Sequence, residues 1–178
     1  MLLRYLFAAL LLVFSVASVY ASAIYTATLA GENEVPPVQT QASGVASFEL
    51  DATQTRLDYR VDVSGLSDVI AAHLHLAPTG QNGGVVANLL ASAVPGGVVN
   101  GPLATGTLEE ADLVGTLTGA FSLFIDALNT GSLYANVHTE AHPSGEIRGQ
   151  VGPVSIAEPS SIALILLSVV VFLMLRRH

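Results

Sequence analysis

Apolar and polar residues alternate along short stretches of this chain, and each stretch ends at glycine, proline, asparagine or aspartate. Arg56–Val63 is the clearest case, with Leu57, Tyr59, Val61 and Val63 set against Arg56, Asp58, Arg60 and Asp62. A period of two gives a strand with one buried and one wet face, the pattern of antiparallel sheets. Ile24–Leu29, Gly44–Leu50, Ala71–Leu76, Val85–Leu90, Thr105–Leu108, Leu133–Thr139 and Glu146–Val151 read as further strands. Asp51–Thr55 and Asn82–Gly84 are turn-rich, Ser64 and Gly65 close the third strand, and Pro95–Pro102 reads as loop. Pro36 and Pro37 lack amide donors, so Gly31–Pro37 is a loop or a sheet edge. One helix is expected in the core, Leu123–Leu128, with Leu123, Phe124, Ala127 and Leu128 at spacings of three and four and a stop at Gly131. Short strands between turn signals predict an all-β domain, an antiparallel sandwich or small barrel.

Both ends depart from this pattern. Residues 1–23 carry Arg4, an apolar run from Leu6 to Val16, and the small residues Ala21-Ser22-Ala23. That is a signal peptide with cleavage after Ala23 by signal peptidase; the run is short for a first membrane anchor. At the other end, residues 153–161 form a linker and sorting motif, Ile162–Leu175 is a continuous run of apolar or small residues, and Arg176-Arg177-His178 close the chain. With the two preceding serines the run makes a helix of about 24 Å, a little short for a bilayer core but tolerable with local thinning. Arginines after it would stay in the cytoplasm and leave the main domain outside.

Charge narrows the partners. Between residues 24 and 156 the basic groups are Arg56, Arg60 and Arg148, against thirteen acids, a net charge of minus ten. Lysine is absent from the chain. Such a surface repels phosphate backbones and anionic lipid, which excludes nucleic acid as a partner. It suits solubility among acidic polysaccharides. Cysteine is absent too, so no disulfide supports the fold outside the cell.

Two resemblances follow from particular residues. The order Ala157-Glu158-Pro159, serines, apolar helix, arginines resembles the PEP-CTERM sorting signal of bacteria, which an exosortase recognises. Ala157 stands where that signal usually has proline. Residues 24–152 resemble a CHRD domain, on Tyr25–Pro37, Ala72–His75 with Pro78–Gly84, Asp112-Leu113, Gly131–Thr139 and Gly145–Gln150. That resemblance implies an immunoglobulin-like or Greek-key β-fold, and no general enzymatic activity comes with it.

The chemistry concentrates on histidines. His73 and His75 are two apart on a predicted strand, so both rings leave one face. His138 lies on another strand, and His142 is placed to reach back from the turn at Pro143–Gly145. Three or four such nitrogens suit zinc or copper. The competing account makes them scaffold: imidazoles bonded to backbone carbonyls or to a carboxylate such as Glu146, in a network that includes Asn136. The sequence favours the scaffold account. Glu146 and Arg148, also two apart, are expected to pair as a structural ion pair. Ser144 near His142 lacks a nucleophile elbow, and the glycine turns lack a phosphate-loop lysine, so neither argues for an enzyme.

The expectation is therefore an exported, non-enzymatic binding or structural module without catalytic residues or cofactor. It would be sorted through its tail to the cell membrane, then the cell surface or an exopolysaccharide matrix, with surface proteins or glycan as partners. The alternative is an extracellular copper or zinc protein with redox activity.

Overall fold

The computed structural model describes residues 22–155. The expected signal peptide up to Ala21, the expected sorting motif Ala157-Glu158-Pro159 and the apolar segment 162–175 lie outside the described residues, while Ala23 opens the first strand. No described helix is long and apolar enough to cross a membrane.

The domain is antiparallel β with little helix. In chain order the strands are β1 (Ala23–Ala30), β2 (Ser43–Leu50), β3 (Leu57–Leu76), β4 (Gly84–Asn88), β5 (Val94–Leu108), β6 (Leu133–Thr139), β7 (Ile147–Gln150) and β8 (Gly152–Pro153). Helix α1 spans Phe121–Asn129. One edge of β3 pairs first with β2 and then with β6; the opposite edge pairs with β5 and then β4. Because β2 continues to β1, β7 and β6, the pairings run back to β3 and form a small barrel-like ring. Its interior holds Leu29, Phe48, Leu57, Leu74, Leu133 and Ile147, closed at one side by Phe124 and Leu128 of α1.

Three expectations are corrected. The strands predicted at Arg56–Val63 and Ala71–Leu76 are one continuous β3. Gly65 and Asp68 take φ of 76° and 49°, so the chain bends with register shifts there instead of stopping. The loop expected over Pro95–Pro102 is most of β5, lying on the β3 edge opposite β2. Its prolines and glycines still allow pairing, since each proline removes only one donor and the register slips beside Pro102. In α1, Leu123 is 55 % exposed; the buried face is Phe121, Phe124, Ile125, Ala127 and Leu128. The stop at Gly131 holds, with φ 65° and with Ser132 N–H on Ala127 O and Gly131 N–H on Leu128 O.

The functional consequence lies in β6, where all seven residues are buried. Leu133, Ala135 and Val137 face the interior opposite Leu76, Leu74 and Ala72 of β3. The alternate residues Tyr134, Asn136 and His138 are buried on the other face, beside His75, His73 and Arg148 in the register. The segments around Glu34, Gln81–Gly83 and His142–Gly145 contact this second, polar layer. Two faces of one strand thus carry two cores, one apolar and one polar.

Candidate metal centre

Antiparallel pairing brings His73 and His75 of β3 beside β6, where Ala71 is the register partner of His138. Alternation aims all three rings to the polar face. One nitrogen from each of His73, His75 and His138 lies within 4.8 Å of the others. His73 Nδ1 is 3.0 Å from His138 Nε2, and the ring centroids of His73 and His75 are 5.6 Å apart.

Backbone carbonyls fix the ring orientations. His75 Nδ1 is 2.9 Å from Gly83 O, and His138 Nδ1 is 2.9 Å from Pro143 O. A carbonyl only accepts, so each Nδ1 carries the proton and each Nε2 presents a lone pair. A histidine whose second nitrogen donates to a carbonyl is the usual orientation of a metal ligand. His75 Nε2 is fully buried and has no partner.

Burial also keeps the rings neutral. Desolvation, followed by the charges of His138 and His75, lowers His73 to about 4. Desolvation is likewise the main cause that lowers His75 and His138, opposed by their carbonyl bonds. At neutral pH three neutral imidazoles converge, the charge state in which they bind zinc or copper.

Around them, Tyr134 stacks on His75 with centroids 4.7 Å apart and 6° between planes. The guanidinium carbon of Arg148 sits 3.4 Å from the centre of the Tyr134 ring. Arg148 is 2 % exposed and donates to Asn82 Oδ1 at 2.9 Å and Gln81 O at 2.6 Å. Glu146 accepts from Thr40 Oγ1 at 2.8 Å and Thr139 Oγ1 at 2.6 Å. The expected Glu146–Arg148 ion pair is therefore not formed; the two share a face, but different loops claim them. Nor does Glu146 meet a histidine. His142 stays outside the imidazole cluster: its backbone closes the turn with Thr139 and Gly145, and its ring is not among the converging groups.

Sequence reasoning missed Glu34. It is 6 % exposed, and its Oε1 has no hydrogen-bond partner. Desolvation raises its carboxyl to about 7, against the opposing Arg148 charge and the Asn136 amide. An acid between asparagine and valine in a proline-rich loop gives no periodic signal, and its burial depends on a loop fold that spacing does not encode. Tyr134 was legible in principle, since alternation puts it on the face of Asn136 and His138.

The fold and this layer define a class: an antiparallel β-domain whose outer sheet face is buried and carries three imidazoles. The chain belongs to the CHRD domain family, whose model matches residues 25–151. It is 34 % identical over 131 residues to chordin of Danio rerio, covering 69 % of this chain and 12 % of that protein. To chordin of Xenopus laevis it is 28 % identical over 144 residues, 76 % of this chain and 14 % of that protein. The chain thus spans only a small fraction of the length of these relatives.

Proposed function

We propose that this protein is an exported, non-enzymatic extracellular binding module whose ligand is one zinc or copper ion held by His73, His75 and His138. The observation that carries the reading is the convergence of nitrogens from His73, His75 and His138, two of the rings, His75 and His138, being oriented by backbone carbonyls. A scaffold role accounts for the bonds to Gly83 and Pro143. It gives no reason for one nitrogen of each of three imidazoles to lie within 4.8 Å of the others. Redox chemistry is not part of the proposal, because zinc satisfies the same donors.

The test is metal analysis of the full-length protein purified without chelator, with zinc and copper titrations of His73→Ala, His75→Ala, His138→Ala and His142→Ala. The first three replacements abolish near-stoichiometric binding and leave the far-UV spectrum unchanged; His142→Ala binds normally. Binding that survives all four replacements, or trace metal in the unaltered protein, refutes the site.

The same reading places the module outside the cell, held and sorted by its tail. The support is the sequence order Ala157-Glu158-Pro159, apolar run, arginines, and an acidic, cysteine-free domain. Cell fractionation checks it: the full chain partitions with the envelope or matrix, and a chain ending at Ile156 is released to the medium. Equal partitioning of both removes the tail from the account.

A further inference from the structure

Three buried atoms in the polar layer have no partner: His75 Nε2, Asn136 Oδ1 and Glu34 Oε1. Each is an acceptor when His75 is protonated at Nδ1 and Glu34 is ionised. They are also linked in space. The Asn136 side chain lies against the His75 ring on one side and against Glu34 on the other. A Cβ at Gly145 would overlap Glu34 Oε1 and lie 2.9 Å from Asn136 Nδ2, so the amide nitrogen is on the Glu34 side. Its oxygen is then turned to an imidazole nitrogen that cannot donate.

Two arrangements remove the conflict, and they differ by rotation of one amide, whose oxygen and nitrogen are nearly the same size. With no metal, Nδ2–H donates to His75 Nε2, and Oδ1 accepts from a protonated Glu34. With a metal on Nε2, Nδ2–H donates to the Glu34 carboxylate, which must be ionised to accept there without a competing proton. We propose that Asn136 and Glu34 are positioning residues of the metal site, a relay that switches between these two arrangements and expels one proton from Glu34 when the ion binds. This rests on the metal reading above.

The step balances in charge and bonds. The His75 Nε2–metal bond forms and the Nε2···H–Nδ2 hydrogen bond breaks. The amide turns, and the Glu34 O–H bond breaks with its proton going to buffer. A divalent ion entering therefore adds one net charge to the layer, not two. The Glu34 carboxyl, held at about 7 by burial, is the group in this layer that stays protonated into the neutral range. The charged and titratable groups around it are Arg148 on β7 and, beyond Asn136, the imidazoles of His75, His73 and His138. Glu146, on the other side of Gly145, is occupied by Thr40 and Thr139. Arg148 favours the ionised state and so stands ready to stabilise it after the exchange.

Zinc titration calorimetry of the full-length protein at pH 6, in buffers of different ionisation enthalpy, counts the protons released. The unaltered protein releases about one proton per zinc, and Glu34→Gln binds zinc but releases close to none. Zinc binding with the same proton count in both proteins overturns the relay and leaves the metal site standing. Failure of the unaltered protein to bind zinc or copper overturns both. Should Glu34→Gln not fold, the Glu34 carboxyl 13C resonance of the unaltered protein decides: it moves to the ionised range on adding zinc, and an unmoved resonance refutes the relay.

Discussion

At the scale of single residues, Arg148 is the most demanding side chain in the domain. Its fork donates in two directions, to Asn82 Oδ1 and Gln81 O, while its plane lies over Tyr134, and only 2 % of it is exposed. Lysine keeps the charge, but a compact ammonium cannot stack and reach both acceptors at once. Arg148→Lys is expected to lower stability by about 1.5–3 kcal/mol, the range for hydrogen bonds to a charged group. Urea unfolding would show it as a lower midpoint with an unchanged slope. A loss below about 0.5 kcal/mol, the scale of ordinary surface substitutions, would mean that the stack and the two bonds contribute little. Residue pairing was only half legible beforehand. That Glu146 and Arg148 share a face follows from spacing, but which partner each finds depends on Thr40 and on Gln81-Asn82, from loops more than sixty residues away in sequence.

At the scale of elements, period-two alternation found the strands and one face of each. It could not find β3 as a single strand, because a Ser-Gly pair reads as a stop while the sheet treats it as a bend. Of β5 it found only the end, Thr105–Leu108; the rest has glycines and prolines of weak propensity and is held by pairing to the β3 edge beside it. Propensity is local, and sheet pairing is not. The candidate site shows the same division. His73 and His75 were legible as a pair because both sit on one strand. His138 joined them through register, Ala71 against His138, which follows once β3 and β6 are neighbours. His142 failed because a turn backbone set its position, and Glu34 was invisible because a loop carries it over the sheet. What the sequence could not anticipate most was that β6 is buried on both faces. Alternating patterns ordinarily mean a wet face, and here Tyr134, Asn136 and His138 are polar in kind yet enclosed by loops.

At the scale of the whole molecule, the buried polar layer makes stability depend on pH in a direction that can be worked out. An imidazole lowered in the fold is protonated more readily in the unfolded chain, so its contribution is complete above the unfolded value and is lost as pH falls towards the folded one. For His73 that window runs from 6.5 down to about 4, and His75 and His138 act in the same direction. Glu34 works oppositely. Its carboxyl is raised from 4.5 to about 7, so its contribution is complete below the unfolded value and is lost as pH rises to the folded one. Three imidazoles outweigh one carboxyl from pH 4.5 through the neutral range, because the unfolded imidazoles, with a value of 6.5, are still partly protonated above it. The metal-free protein is therefore expected to have a melting temperature that climbs from pH 4.5 and levels off by about pH 7.5. Calorimetric scans in chelator across that range check it. A maximum at pH 5 would mean that the three imidazoles are not held neutral by burial, and the layer would then be too wet to serve as a closed metal site. Glu34→Gln should steepen the climb between pH 4.5 and 7, because the carboxyl that opposes the histidines there is gone.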